Sequence, residues 1–219
     1  LVTPLIQAGD DMTAHILKAA GHSACQGLQP GDVVVVAESA LATAEGRIVR
    51  LEDIEPKAEA VRLAEEYQMD PHLVEVVLQE SDQVVGGIPG FLLCMKNGTL
   101  LPNAGIDASN TPPGTVVLLP IDPDASAAEI RKEISERLGV DVAVIIADSR
   151  THAMRLGCSG VAIGCSGISS VIDERGRSDL FGRELEVTKR AVADCISSAA
   201  ELVMGEADEC VPAVIVRGV

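Results

Sequence analysis

The sequence predicts a fold that mixes α-helices and β-strands. Short apolar runs of strand length, such as residues 33–37 and 140–147, alternate with segments that carry helix caps and helical periodicity. An Asn97-Gly98 pair lies between two further apolar runs and predicts a tight hairpin. None of the apolar runs approaches the roughly 20 residues that a membrane-spanning helix needs.

The first half of the chain is predicted to hold three helices, one buried strand and one hairpin. Asp10 can cap the first helix, and Pro56 and Pro71 can each open another, because proline costs little in the first helical turn. The small-residue segment 38–47 favours neither a helix nor a strand. The predicted bounds are helices to about residue 20, over 56–67 and over 71–80, a strand over 33–37, and a hairpin of 91–95 with 99–101.

The second half of the chain predicts strands that alternate with two long helices. The pattern Ser-Ala-Ala-Glu at 126–129 is typical of a capping box and predicts a helix to about residue 138. The strand over 140–147 is predicted to end at Asp148-Ser149-Arg150, which places a carboxylate and a hydroxyl at the carboxyl edge of a sheet, where ligands often bind. The remaining predictions are a strand over 115–119, a Gly-rich stretch over 157–167, a charged loop over 173–183, a helix over 184–204 and a strand over 213–216.

Composition excludes several classes of function. The chain has 33 acidic and 17 basic residues, for a net charge of −16, and only three aromatic residues. An acidic surface repels nucleic acid and anionic membranes, so neither is expected as a partner. The sequence shows no Cys-x-x-Cys spacing, no Walker A pattern and no dinucleotide fingerprint. No secretory signal is recognised, and a soluble, cytoplasmic protein is expected.

Three groups of oxygen-bearing side chains are candidates for chemistry. They are residues 103–110, the pair Asp148-Ser149, and residues 204–209. Each also has a purely structural interpretation, which is an Asx-rich turn, a strand-end cap and a solvated acidic turn, respectively. Together their carboxylates and hydroxyl suit Mg²⁺ or Mn²⁺, and such an ion would let an acidic protein hold a nucleotide. Basic residues of the same third of the chain could assist, namely Arg150, Arg155, Arg175, Arg177 and Arg183.

Sequence blocks along nearly the whole chain resemble one known family. The blocks are Thr3-Pro4-Leu5-Ile6, Ala44-Glu45-Gly46-Arg47, residues 103–110, L-F-G-R-E-L-E-V-T at 180–188, Met204-Gly205-Glu206 and P-A-V-I-V-R-G at 212–218. In this order they are similar to the coenzyme F420-0:L-glutamate ligase (CofE) family. The resemblance implies a two-domain α+β fold with mixed sheets, in which residues 1–219 form one unit of two interleaved subdomains, and an intertwined homodimer.

The resemblance also implies the reaction and its residues. It implies a GTP-dependent ligase that uses two Mn²⁺ or Mg²⁺ ions and joins γ-linked L-glutamate to a deazaflavin acceptor through an acyl phosphate. Asp107 and Asp148 would be catalytic and would hold one ion, and Ser149 and Glu206 would hold the second. The residues implied to contact the nucleotide are Thr3, Pro4, Leu5, Ile6, Ser39, Asn110, Met204 and Gly205.

Three departures from the family pattern keep other functions open. Thr43 stands where the family has a nucleotide-binding lysine, and Glu38 adds an acid in the same block. Ala207-Asp208-Glu209 replaces a glycine-rich run after Met-Gly-Glu. The alternatives are a paralogue with a different carboxylate acceptor or nucleotide, and a non-catalytic protein that binds metal or nucleotide.

Overall fold

A computed structural model describes residues 1–24, 26–152 and 156–219 of the protein. It confirms the predicted mixture of helices and strands. None of the helices in these ranges has the length and apolar character that crossing a bilayer requires. In chain order the elements are α1 (Met12–His22), β1 (Val33–Ala37), α2 (Glu38–Ala44), β2 (Ile48–Arg50), α3 (Ala58–Tyr67), α4 (Pro71–Glu80), β3 (Gln83–Ile88), β4 (Phe91–Lys96), β5 (Thr99–Pro102), β6 (Thr115–Val117), α5 (Pro123–Leu138), β7 (Ala143–Thr151), β8 (Cys158–Ser166), β9 (Val171–Asp173), β10 (Lys189–Ala191), α6 (Val192–Met204) and β11 (Ala213–Val216).

The first of two compact units comprises residues 1–44 and 120–219. Its sheet has the order β11-β1-β7-β8, and only the central pair, β1 and β7, is parallel. Val34 and Val36 of β1 pack with α1, α2 and α5, whereas Val33 and Val35 pack with α6. This strand is buried on both faces, which is why it appears in the sequence as an unbroken apolar run.

The second unit comprises residues 45–119 and is built on the antiparallel sheet β3-β4-β5. Leu92 and Cys94 of β4 point to one face of that sheet and pack against α3 and α4. The Asn97-Gly98 hairpin is confirmed, and both of its residues have the positive φ that a two-residue hairpin turn needs. The β2 and β6 strands form a separate two-stranded ladder.

The predicted helix over 184–204 is wrong in its first third. Residues 189–191 form β10, which pairs antiparallel with β9, and α6 begins only at Val192. The predicted charged loop 173–183 belongs to the same hairpin, because the Leu185 amide donates to the Arg177 carbonyl at 2.8 Å. The β-branched Val187 and Thr188 favour such extended backbone. We call residues 171–191 the arm.

The predicted end of a strand at residue 147 is also wrong. β7 continues to Thr151 because β8 pairs with it along its length, from Val144 opposite Ser166 to Thr151 opposite Cys158. The Gly-rich stretch 157–167 is therefore mostly the strand β8. Asp148 and Ser149 lie inside a strand, just beyond the point where its parallel partner β1 ends.

Two helices begin at other residues than their predicted caps. The Asp122 carboxylate caps α5 by accepting from the Ala125 amide at 3.0 Å, so the predicted capping box at 126–129 lies within the helix. Asp11 caps α1 through the Ala14 amide at 2.8 Å. Asp10 instead accepts from the Gln7 amide and shapes the preceding turn.

A buried ion pair joins the start of β1 to the end of the chain. The Asp32 side chain is 1% exposed, and its two oxygens accept from Nε and Nη2 of Arg217 at 2.7 and 2.8 Å. The Arg217 hydrogen bonds, assisted by one from the Gln29 amide, hold the pKa of Asp32 below its ordinary value despite burial. The pair therefore stabilises the fold only while Asp32 is ionised.

We expect Asp32→Asn to lower the free energy of unfolding by about 2 kcal/mol at pH 7, because hydrogen bonds to charged groups are lost. The folded pKa is the lower one, so this contribution is full above the unfolded pKa and disappears as pH falls through the folded pKa. Urea unfolding of both proteins between pH 7 and pH 3 measures it. A difference that stays constant on acidification would contradict the assignment.

Candidate active site

The parallel pair β1 and β7 brings two predicted site segments to one edge of the sheet in the first unit. Ala37 and Ala147 are in register at this edge. Beyond these residues, β1 is followed by α2, which carries Ser39, and β7 continues into Asp148 and Ser149. Because parallel strands run in the same direction, both segments emerge on the same side of the sheet, as in other sheets whose ligands bind at carboxyl ends.

Asp148 and Ser149 point to opposite faces of β7. Side chains alternate along a strand, and Val144 and Ile146 pack towards α5 whereas Ile145 and Ala147 pack towards α6. Asp148 therefore lies on the α5 side. Ser149 lies on the α6 side, where its hydroxyl donates to Oε1 of Glu206 at 2.9 Å. Two of the residues predicted to share a metal ion, Ser149 and Glu206, are thus in direct contact.

Glu201 is an acidic residue of this site that the sequence did not indicate. It lies in the last turn of α6, where its carbonyl accepts from the Gly205 amide at 3.0 Å. Burial, followed by the negative charges of Glu206 and Asp148, raises the pKa of Glu201 to about 7. Its place one helical turn before Met-Gly-Glu is the signal that could have identified it.

The loop after α6 lies beside the amino-terminal turn. The Thr3 amide donates to the Cys210 carbonyl at 3.1 Å, and the Thr3 hydroxyl donates to the Pro4 carbonyl at 2.8 Å. Pro4 and Leu5 are exposed, whereas the side chains of Ile6 and Met204 belong to the core. Segment 3–6 therefore contacts the end of the loop that follows residues 204–205. Because their side chains are buried, Ile6 and Met204 can offer a ligand only their backbone.

The loop 205–210 is more acidic and less open than a glycine-rich loop. The Glu209 carboxylate accepts from the Ala207 amide at 2.8 Å and packs against the Cα of Gly205. One of the amides that could approach a phosphate is therefore already bonded to a negative group. The departure noted in the sequence has a direct structural effect at this position.

Asp107 and Asn110 lie in the second unit. The backbone of Asp107 pairs with Val117 through two hydrogen bonds of 3.0 and 2.8 Å, and its Oδ1 accepts from the Ser109 amide at 2.8 Å. Asn110 has a positive φ of 52°. The segment thus contains the Asx turn proposed as its structural interpretation. That turn holds the Asp107 carboxylate on the Ser109 amide, while the Asp107 backbone pairs with β6.

The basic residues of the last third of the chain are largely matched by acids. Nε of Arg150 donates to Oδ2 of Asp148 at 2.5 Å. Within the arm, Arg175 pairs with Asp173 and Arg183 with Asp179, and Arg177 pairs with Glu174. His152 is exposed, and Arg155 lies outside the described residues. The arm's arginines therefore carry no large excess of positive charge.

The donor chemistry of the first unit fits a hard divalent cation. Mg²⁺ and Mn²⁺ prefer oxygen ligands such as the carboxylates of Asp148 and Glu206 and the hydroxyl of Ser149. The negative charges of Asp148 and Glu206 also act on a third carboxylate, Glu201. In the described ranges, no three acidic, histidine or cysteine side chains converge closely enough to enclose an ion. An ion held here would therefore take part of its coordination from water and substrate oxygens, as Mg²⁺ commonly does.

The second unit contains a groove of about 440 Å³ that none of these residues lines. It is lined by Arg50, Leu51, Glu52, Asp70, His72 and residues 112–115. Its charged side chains are paired with one another, Arg50 with Glu52 at 3.7 Å and His72 with Asp70 at 3.1 Å. It contains none of the residues predicted for the site.

Comparison with known proteins identifies one family along nearly the whole chain. The family model of the F420-0:gamma-glutamyl ligases matches residues 1–218. Proteins named coenzyme F420:L-glutamate ligase are 46% identical in Methanopyrus kandleri, over 97% of this chain and 82% of that protein, and 44% identical in Methanothermobacter thermautotrophicus, over 98% and 85%. The one from Archaeoglobus fulgidus is also 44% identical, over 98% and 84%. The chain therefore belongs to the F420-0:gamma-glutamyl ligase family.

Proposed function

We propose that this protein is a ligase that joins L-glutamate through its amine to the terminal carboxylate of coenzyme F420-0. The proposal is supported by membership in the family and by similarity to proteins that carry the ligase name over nearly the whole chain. The observation that carries it is the hydrogen bond between Ser149 and Glu206 at the sheet edge where β7 also carries Asp148.

The proposed chemistry is acyl activation by a nucleoside triphosphate, with GTP as the first choice. The γ-phosphoryl group passes to the acceptor carboxylate, and the glutamate amine then displaces phosphate to form the amide. This reaction consumes one triphosphate for each bond and suits the cytoplasm, where such nucleotides are available. The protein's task in such a reaction is mainly to position the reactants and to balance charge.

We propose that Asp148, Ser149 and Glu206 hold the divalent cations, Mn²⁺ or Mg²⁺, and that Asp107 is a further ligand and catalytic carboxylate. When bound, the cations neutralise the charge that develops on the phosphoryl oxygens. The segments at 3–6 and 204–205, with Ser39 and Asn110, are proposed to contact the nucleotide. The hydrogen bond between the Thr3 amide and the Cys210 carbonyl supports a shared role for the first two.

Mass spectrometry of a reconstituted reaction tests this function directly. The purified protein is incubated with Mn²⁺, GTP, L-glutamate and F420-0, and we expect an acceptor that is heavier by one or more glutamyl residues. Omission of nucleotide or glutamate should abolish the product. Failure to form product with either GTP or ATP would exclude the proposed reaction and would favour a non-catalytic binding protein.

A related enzyme with another nucleotide or acceptor is the second candidate. The Glu209 carboxylate on the Ala207 amide favours it, as does Thr43 in place of a lysine, because both changes make the surroundings less attractive to phosphate. Thermal shifts with GTP and ATP at equal concentrations distinguish the two nucleotides, since a ligand stabilises the fold according to its concentration relative to its dissociation constant.

We further propose that the ligase is a homodimer and that the arm packs on a second copy. Leu180, Phe181 and Val187 of the arm are 99%, 83% and 84% exposed. A two-stranded hairpin with no core of its own is only marginally stable in water. The arm has five acidic and five basic residues in a chain of net charge −16, so it can approach a second acidic copy without strong repulsion.

We expect the double variant Leu180→Ser, Phe181→Ser to shift the protein from dimer to monomer, because the apolar tip would no longer gain from burial. Light scattering after size-exclusion chromatography measures the mass. Ile121→Ser, at a residue 77% exposed and outside the arm, is the control and should leave the mass unchanged. A double variant that stays dimeric would place the interface elsewhere.

A further inference from the structure

Arg150 differs from the arginines of the arm because its ion pair is largely buried. Its side chain is 14% exposed and that of Asp148 is 12% exposed, whereas the four paired arginines of the arm are 51–79% exposed. Asp148 and Arg150 are two residues apart on β7, so both side chains leave the strand on the same face. The guanidinium is thereby delivered to Oδ2 of Asp148 at 2.5 Å.

The surroundings of Asp148 require a positive partner. After burial and the charge of Glu206, the negative charge of Asp148 is a further cause of the raised pKa of Glu201, so Asp148 and Glu201 are close enough to repel each other when both are ionised. A carboxylate that is largely withdrawn from water beside other acids is costly unless a cation neutralises it. Arg150 meets this requirement with a group that stays charged at every relevant pH.

A divalent cation would need the same oxygens of Asp148. A guanidinium and a doubly charged ion on one carboxylate lie only a few ångströms apart, and at that distance two positive charges repel each other where the carboxylate is largely buried. The Asp148 carboxylate can therefore bind only one of the two, the guanidinium or the divalent cation, strongly at a time. Because Arg150 is anchored on the same strand, it cannot diffuse away and remains a permanent competitor.

We propose that Arg150 is a built-in counter-ion that positions Asp148 and must be displaced from this carboxylate when a divalent cation binds. This inference rests on the proposed role of Asp148 as a metal ligand. Arg150 is a positioning residue in this scheme. Arg150 fixes the orientation of the Asp148 carboxylate, and it lowers the affinity of the site for the cation.

Titration of the full-length protein with Mn²⁺, followed by electron paramagnetic resonance of the free ion, tests the proposal without nucleotide or turnover. We expect Arg150→Gln to bind Mn²⁺ about tenfold more tightly than the wild type, because the competing charged hydrogen bond is gone. Arg150→Lys keeps the charge and should remain close to the wild type. Arg131→Gln is the matched control, because Arg131 pairs with Asp141 at 2.7 Å at the other end of β7. The affinity of this variant for Mn²⁺ should equal that of the wild type.

A second readout covers the possibility that Arg150→Gln folds less well. Without added Mn²⁺ its Tm should fall below that of the wild type, and saturating Mn²⁺ should raise its Tm by more than it raises the wild-type Tm. If the wild type binds Mn²⁺ and Arg150→Gln binds it equally well or more weakly, this inference is overturned and the proposed metal role is not. Equal binding by Asp148→Asn and the wild type, or no binding by the wild type, would overturn the proposed metal role and this inference with it.

Discussion

Asp148→Asn is expected to reduce ligation by a factor on the order of 100 or more, which is the largest effect on activity that we predict. The substitution keeps the size of the side chain but removes the negative charge that would hold the proposed divalent cation, which in turn neutralises charge on the transferring phosphoryl group. It also leaves the enclosed guanidinium of Arg150 without its carboxylate. The rate is measured by mass spectrometry of the glutamylated acceptor at saturating nucleotide and Mn²⁺.

The same substitution at Asp141 is the control for Asp148→Asn. Asp141 precedes β7, its side chain is 76% exposed, and it pairs with Arg131 away from the sheet edge. Asp141→Asn should leave the rate unchanged. Circular dichroism and thermal unfolding show whether Asp148→Asn retains the fold. A folded Asp148→Asn protein that ligates at the wild-type rate would contradict the proposed site, and Asp107→Asn gives the corresponding test in the second unit.

The sequence predicted best those elements whose signals are local. The strand over 33–37 and the strand over 213–216 have their predicted bounds, because each is an apolar run flanked by polar residues or proline. The helix over 71–80 is confirmed for a similar reason: Asp70 caps it through the amides of His72 and Leu73, and Pro71 occupies the first turn.

The sequence predicted least well those elements that depend on distant partners. The extension of β7 to Thr151 is created by pairing with β8, and the first part of the predicted helix over 184–204 is extended because it pairs with residues 171–173. β3 was not predicted, since its two glycines weaken the strand pattern, yet it pairs with β4. The partners of β7 and of residues 189–191 lie in other segments of the chain, so periodicity within one segment does not reveal these pairings.

The candidate site shows the same division. The apolar run before Asp148-Ser149 and the acids of residues 204–209 indicated these segments, and the resemblance to a family assigned metal ligation to Asp148, Ser149 and Glu206. The structure brings Ser149 and Glu206 into contact. Glu201 was missed because a single acid in an amphipathic helix is normally a solvated residue. Its proximity to Asp148 and Glu206 arises only when α6 packs on the sheet.

Gly160→Ala is expected to cause the largest loss of stability among our predictions, about 3 kcal/mol, which corresponds to roughly 10 °C in Tm. A Cβ at this position of β8 would lie 2.5 Å from the carbonyl carbon of Ser197 and 2.7 Å from the amide nitrogen of Ser198. Both contacts are with the backbone of α6, which cannot rotate away. The helix must therefore move, and the 2.9 Å hydrogen bond from the Ser198 hydroxyl to the Gly160 carbonyl is strained.

Gly21→Ala is the matched control for Gly160→Ala. Gly21 lies in α1, no atom is within 4 Å of a Cβ added there, and the backbone is helical, so alanine should stabilise the protein by about 0.5 to 1 kcal/mol. Urea unfolding measures both variants. Equal stability of Gly160→Ala and the wild type would show that α6 does not pack as closely on β8 as the structure indicates.

Gly164→Ala separates the effect of Gly160 on stability from its effect on the site. Residues four apart share a face of a regular strand, but the register shift between β7 and β8 lies between Gly160 and Gly164. A Cβ at Gly164 would consequently clash with Pro123 at the start of α5 and not with α6. Both variants should be less stable than the wild type. Only Gly160→Ala displaces α6, which carries Glu201 and leads into Glu206. At a temperature where both variants are folded, the ligation rate of Gly160→Ala should therefore be about tenfold lower than that of Gly164→Ala. Equal losses of activity would mean that the position of α6 does not control the placement of these carboxylates.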